Sequence, residues 1–112
     1  MTAALDRERR LLVAARNGQT KNVECLLEEG VNVYATDDLG KTALMYASEH
    51  EHLEIVKLLV KNGGEELVMA KDNDGMTGIL HAALNGNFKI VEYLEQRLSP
   101  QDDSIYATAL PA

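Results

Sequence analysis

"DLGKTALMYASEHEHLEIVKLLV", Asp38 to Val60, lies over "NDGMTGILHAALNGNFKIVEYLE", Asn73 to Glu95, with Gly40 matched to Gly75, Thr42 to Thr77, Ala47 to Ala82 and Val56 to Val91. The offset is 75 − 40 = 35 residues. A more worn copy, "RRLLVAARNGQTKNVECLLEEG", precedes both and places Ala14 on Ala47, Val23 on Val56 and Leu26 on Leu59, each 33 residues on. Repetition at such a period marks stacked units, each too small to bury its own apolar face and each relying on its neighbours to do so.

Every copy is built from the same local physics. A Gly-bearing polar turn leads to a helix N-cap, a short apolar-rich helix, a polar break and a longer amphipathic helix. The hydroxyls of Thr42 and Thr77 can accept from a free N–H in the first helical turn, and Gly40 and Gly75 suit a turn that needs positive φ. In "HLEIVKLLV", Ile55, Val56, Leu58 and Leu59 recur at helical spacing, while Glu54, Lys57 and Lys61 face away. Composition agrees with helices: the 112 residues are 46% hydrophobic but only 4% aromatic, with no Trp and one Phe, so the core is left to Leu, Ile, Val, Ala and Met. The chain reads as an all-α single domain over residues 1–112, with units at about 4–36, 37–71 and 72–98. Residues 99–112 read as a C-terminal tail or a partial fourth unit, since "TAL" at Thr108 to Leu110 repeats Thr42 to Leu44.

Charge and cysteine usage exclude several classes of function. Eighteen acidic against 11 basic residues leave a formal charge of −7, which repels a phosphate backbone and argues against nucleic acid as a partner. Acidic pairs such as Glu28-Glu29, Asp37-Asp38, Glu65-Glu66 and Asp102-Asp103 read as solvated surface. The single Cys cannot form an internal disulfide, and "MTAALDRERR" carries charges where a secretory signal needs an apolar stretch. The longest purely apolar run, Leu11 to Ala15, falls far short of the roughly 20 residues that span a bilayer. These features predict a protein of a reducing intracellular compartment, cytoplasmic or nuclear, without membrane contact.

His50, His52, His81 and Cys25 are the residues that could suggest metal binding or nucleophilic catalysis. Two histidines at i and i+2 do not share a helix face, and no CxxC or HExxH spacing is present. Cys25 occupies the place taken by Leu58 and Tyr93 in the other copies and is expected to be a small buried hydrophobe. No phosphate loop, Ser-His-Asp order or convergent carboxylate pair emerges. The expectation is a protein that is not an enzyme and has no catalytic residues, cofactor or metal.

The phrases "GKTALMYAS" with "HLEIVKLLV", "GMTGILHAA" with "FKIVEYL", and "AARNGQTKNVECLLEEG" resemble the ankyrin repeat family, whose first-helix signature is T-P-L-H-x-A. The likeness covers roughly residues 6 to 97 by this alignment. Two signature positions depart: Pro is replaced by Ala43 and Gly78, and His by Met45 and Leu80. Glu51 stands where Gly18 and Gly86 fill the break between paired helices, and a left-handed backbone there would cost a non-Gly residue about 1 kcal/mol. Leu26 to Gly40 spans 14 positions and Leu59 to Gly75 spans 16, so "KNGGEELVMAKDND" is expected to hold an enlarged or kinked loop, and the family's β-turn finger is least secure there. The charged "LDRERRLLVAAR" suits an N-terminal cap with a polar outer face.

The resemblance implies an ankyrin-type solenoid of about three helix-turn-helix units with short β-turn fingers. It further implies a module that binds another protein through its fingers and the concave surface of its first helices. Family contact positions fall on Thr36, Asp38, Leu39, Lys41, Tyr46, Glu49 and His50 in the middle unit. In the third unit they fall on Lys71, Asn73, Asp74, Met76, His81, Leu84 and Asn85. Tyr46, Leu39 and Met76, apolar or aromatic at positions expected to face water, are the foremost of these. His52 is expected to make a structural hydrogen bond to neighbouring backbone, and His81 to be exposed or at the core edge. The partner is expected to be another protein and the module a monomer. The alternatives are a regulatory or targeting segment of a larger enzyme, or a self-associating structural unit.

Overall fold

A computed structural model describes residues 3–98, with side chains from Leu5 onward. Six helices follow one another: α1 (Ala3–Asn17), α2 (Thr20–Glu28), α3 (Ala43–Glu49), α4 (Leu53–Met69), α5 (Gly78–Leu84) and α6 (Phe88–Glu95). No strand occurs among the described residues. The helices pair as α1/α2, α3/α4 and α5/α6; α1, α3 and α5 pack in one row, and α2, α4 and α6 in a second row behind it. The resulting stack measures 43 × 25 × 23 Å.

The caps form as the hydroxyls predict. Thr42 Oγ1 accepts from Met45 N, and Thr77 Oγ1 accepts from Leu80 N, both at 3.3 Å. At the position of the missing signature histidine, the Met45 sulfur accepts from Thr42 N at 3.4 Å. The break between paired helices is closed by one bond in all three copies: Gln19 N to Ala14 O, His52 N to Ala47 O and Asn87 N to Ala82 O, each 2.9 Å. The residue before each of these donors is left-handed: Gly18 at φ +74°, Gly86 at +73° and Glu51 at +64°. Glu51 therefore adopts the glycine conformation without being a glycine. Gly18 has a second constraint, because a Cβ there would lie 2.7 Å from the His52 ring.

Successive units are tied through the residue at one repeated position. His52 Nε2 meets the Arg16 carbonyl at 3.1 Å, as the resemblance implies; since a carbonyl only accepts, this nitrogen carries the proton. In the next unit Asn87 Nδ2 donates to Ser48 O at 2.7 Å and to Glu49 O at 3.1 Å. Between the rows lies a continuous apolar core. Leu11, Leu44, Met45, Ile55, Leu59, Leu67, Ile79, Ile90 and Leu94 are almost fully withdrawn from water, and each such side chain contributes about 1.5–3 kcal/mol of burial.

The two extra residues of the second interval appear as a kink, one of the two expected forms, set within a helix and not in a loop. The α4 helix is interrupted at Gly64 (φ 69°, ψ −162°) and resumes to Met69, burying Leu67 and Val68. Beyond it the turn at Asp72–Met76 matches the turn at Asp37–Lys41 bond for bond, so the finger is kept there. Gly78, a poor helix starter, packs fully buried where a Cβ would touch Leu44 and Ser48 at 3.4 Å. Cys25 is exposed on α2, not buried. The first unit has no neighbour before it among the described residues, so the outer flank of α2 remains open. Residues 99–112, read as a tail or partial fourth unit, lie outside the described residues.

Candidate partner-binding surface

The surface is built upward from two aspartates at the finger bases. Asp37 Oδ1 accepts from Leu39 N and Lys41 N at 3.0 Å each, and Gly40 N donates to Asp37 O at 3.0 Å. Asp72 Oδ1 accepts from Asp74 N and Met76 N at 2.9 Å each, and Gly75 N donates to Asp72 O at 2.9 Å. Each carboxylate thereby fixes its own turn with one oxygen and leaves the other for the inner helix. The Tyr46 hydroxyl donates to Asp37 Oδ2, and His81 Nε2 hydrogen-bonds Asp72 Oδ2 at 2.8 Å. Finger and helix are thus locked by the same Asp-to-inner-helix bond in both units. A Gly40 Cβ would come within 2.9 Å of Asn73 N, which itself donates to Leu39 O at 3.0 Å while Asn73 Nδ2 donates to Asp38 O at 3.0 Å. The two fingers are therefore bonded to each other.

A charged chain crosses the inner helices between them. Lys41 Nζ donates to Glu49 Oε1 at 2.7 Å and stands 4.5 Å over the Tyr46 ring. The same Glu49 oxygen lies 3.7 Å from His81 Nδ1, and His50 Nε2 lies 3.8 Å from Glu49 Oε2. Burial pushes against the Glu49 charge, but the Lys41 ammonium outweighs it and holds the carboxyl below its ordinary value. Asp72 is likewise held low: burial opposes its charge, and the Met76 N–H and His81 prevail. Burial raises Asp37 too, yet the Tyr46 hydroxyl and the Lys41 and Leu39 N–H groups bring it below the usual value. Burial first, then the bond to Asp37, pushes the Tyr46 phenol up to about 12.

Of the residues expected to contact a partner, Thr36, Asp38, Leu39, His50, Lys71, Asn73, Asp74, Leu84 and Asn85 are exposed. Lys41, Tyr46, Glu49, Met76 and His81 are half-buried. Tyr46 therefore differs from expectation: its hydroxyl is committed to Asp37, and its ring lies beneath Lys41. His81 is at the core edge. Leu39 stands clear at 61% exposure on its locked turn. Leu84, the counterpart of Glu49, projects at the C-terminal end of the described stack with 75% exposure. Sequence reasoning read Asp37 as solvated surface and passed over Asp72, although their shared 35-residue offset and the polar residue nine positions after each were visible; Asp37 is instead half-buried and bonded to its turn and to Tyr46. It also passed over α1: Leu5, Glu8, Arg9 and Leu12 face Thr36, Asp37, Asp38 and Leu39 across a groove of about 390 Å³.

Among the described residues, no group of three or more His, Cys, Asp or Glu is disposed to hold a metal ion. No described helix is long and apolar enough to cross a membrane.

Comparison with known proteins decides the family, because the family model "Ankyrin repeats (3 copies)" matches residues 11–102. The chain belongs to the ankyrin repeat family. Its similarity extends to "Protein fem-1 homolog A-like" of Mus musculus, 35% identical over 101 residues, which cover 90% of this chain and 15% of that protein. "Rabankyrin-5" of Mus musculus is 35% identical over 96 residues, covering 86% of this chain and 8% of the relative. "Interferon antagonist OPG039" of Monkeypox virus is 35% identical over 107 residues, covering 95% of this chain and 37% of the relative. The chain therefore spans well under two thirds of these curated relatives. Ankyrin repeats are in general protein–protein interaction modules. The Thr caps, the left-handed inter-helix turns and the bonds between units are this chain's form of the ankyrin framework.

Proposed function

We propose that this ankyrin stack is a non-enzymatic, intracellular module that binds a partner protein across its two fingers and the inner helices α1, α3 and α5. The observation that carries the reading is Leu39, an apolar side chain held out in water by a turn whose backbone is already bonded to Asp37 and Asn73. An ordered turn loses little entropy on binding, so the area buried over Leu39 is available to affinity. The half-buried chain Lys41, Glu49, His81 and Asp72 supplies fixed charges beneath, and exposed Asp38, Lys71 and Asp74 form a polar rim.

Affinity capture with the full chain tests this reading, followed by identification of the captured protein and titration with Leu39→Ala and Glu24→Ala variants. Leu39→Ala is expected to weaken the partner's Kd about tenfold with unchanged thermal unfolding, while Glu24→Ala on the opposite row leaves it unaltered. Equal affinity of both variants for every captured protein would remove the fingers from the binding surface.

A further inference from the structure

The outer helices carry a reversal of charge that the repeat does not require. Glu24 and Glu28 on α2 have Lys57 and Lys61 as their counterparts on α4, 33 residues on, and Glu29 has Arg97 on α6, 97 − 29 = 68 residues on. Three positions that are acidic in the first copy are thus basic where α4 and α6 pack side by side, in a chain of net charge −7. Elsewhere the same positions hold Glu92, Gln96 and Asn62, so the cations gather only where the two helices border one cleft.

That cleft, of about 370 Å³, opens beside the kink of α4. Lys57, Lys61 and Arg97 stand on its walls with Glu65 as the one carboxylate among the described residues, while buried Val60 and half-buried Tyr93 supply apolar surface. Gly64 lines it too, and a Cβ there would meet none of the described residues within 4 Å. The kink is firmly held. The Tyr34 hydroxyl donates to Gly63 O at 2.7 Å, and Gly63 packs so closely that a Cβ would stand 2.8 Å from the Leu67 side chain. Arg97 is oriented in advance: its guanidinium carbon lies 4.4 Å from the centroid of the Tyr93 ring, and Lys57 Nζ lies 5.8 Å from the same centroid. Stacking occupies the face of a guanidinium and leaves its N–H edge to bond elsewhere. No ion pair among the described residues engages Lys57, Lys61 or Arg97.

We propose that this cleft between α4 and α6 binds a phosphorylated side chain of a second partner protein, on the row opposite the fingers. Three cations gathered in one cleft suit a single compact dianion. An extended acidic run or an anionic lipid surface would also have to lie across Glu54, Glu66 and Glu92, exposed on the same two helices. A compact group meets only the cleft, because charges beyond a Debye length of about 8 Å are largely screened. A phosphate brings close to two negative charges and three acceptor oxygens, which the Arg97 fork can meet in pairs and the two ammonium groups of α4 singly. The site does not rest on the finger surface, so either can fail alone.

NMR titration of the full chain tests the proposal with a blocked pentapeptide holding one phosphoserine between alanines, the same peptide unphosphorylated, inorganic phosphate, and vesicles containing phosphatidylserine. Saturable shifts at residues 57–65 and 93–97 are expected from the phosphopeptide and not from its unphosphorylated form. Lys61→Gln and Arg97→Gln are each expected to weaken its Kd about tenfold. Lys57→Glu, which restores the charge found at Glu24 and Glu92, is expected to weaken it further, and Leu39→Ala to leave it unchanged. Lys57, Lys61 and Arg97 are exposed, so the urea midpoints of their variants are expected to stay near the parent value. The proposal is overturned by equal shifts with and without the phosphoryl group, or by Gln variants that bind the phosphopeptide as the parent does. A tighter response to inorganic phosphate or to the vesicles than to the phosphopeptide would overturn it as well.

Discussion

At the scale of single residues, two positions depart from their counterparts in ways that cost stability. Glu51 holds φ +64° where Gly18 and Gly86 hold the same turn, and the left-handed cost was foreseeable because the sequence aligns a glutamate with two glycines. Glu51→Gly is expected to stabilise the fold by about 1 kcal/mol in urea denaturation, and a loss of stability would show that the Glu51 side chain makes a compensating contact. Ser48 is fully buried with no partner for its hydroxyl among the described residues, and the matching positions in the other copies are Ala15 and Ala83. Ser48→Ala is expected to gain about 1 kcal/mol by removing an unsatisfied polar atom, read as a raised urea midpoint with unchanged slope. Tyr46 adds a pH effect. Its folded pKa of about 12 exceeds the ordinary value of 10, so its contribution is fully present below pH 10 and is lost as pH rises towards 12. Tyr46→Phe is expected to make the fall in stability between pH 10 and 12 shallower, and an identical slope in both proteins would disprove the coupling. Asp37 and Asp72, held low, act at the other extreme, their contribution fading as pH drops below about 4.

At the scale of elements, helices, Thr caps and inter-helix turns were legible because each is set by residues within one turn of itself. The longer second interval was legible as an anomaly, but its form was not. Two added residues can bulge a loop or extend a helix, and the choice depends on whether Leu67 and Val68 find core beneath them, which is a tertiary matter. They do, and Gly64 supplies the bend, with a backbone conformation that is close to glycine-only (φ 69°, ψ −162°). Gly64→Ala is expected to cost about 1–3 kcal/mol although none of the described residues lies within 4 Å of the added Cβ. A neutral outcome would mean that the kink relaxes into continuous helix. The burial of Cys25 was misjudged for the same reason: its counterparts Leu58 and Tyr93 have an earlier unit beside them, and α2 has none among the described residues.

At the scale of the whole molecule, the repeat separates framework from surface. Ala47 and Leu59 are fully buried, and their copies Ala14, Ala82, Leu26 and Leu94 are buried with them, whereas the exposed inner-helix and finger positions change from copy to copy. Exposure of Leu39 followed from its place in a turn, but the half-burial of Tyr46 did not, because it arises from the opposing Asp37 carboxylate and the Lys41 ammonium. The ordered polar chain from Lys41 through Glu49 to His81 joins two units, and no single copy of the repeat discloses it. By our proposal, the face carrying this chain and the two fingers is the one that meets another protein. Amide hydrogen exchange of the full chain with and without its captured partner tests it most directly. Slowed exchange at residues 36–41 and 71–76, with α2 and α4 unchanged, is the expected result. Protection confined to α2 and α4 would contradict it.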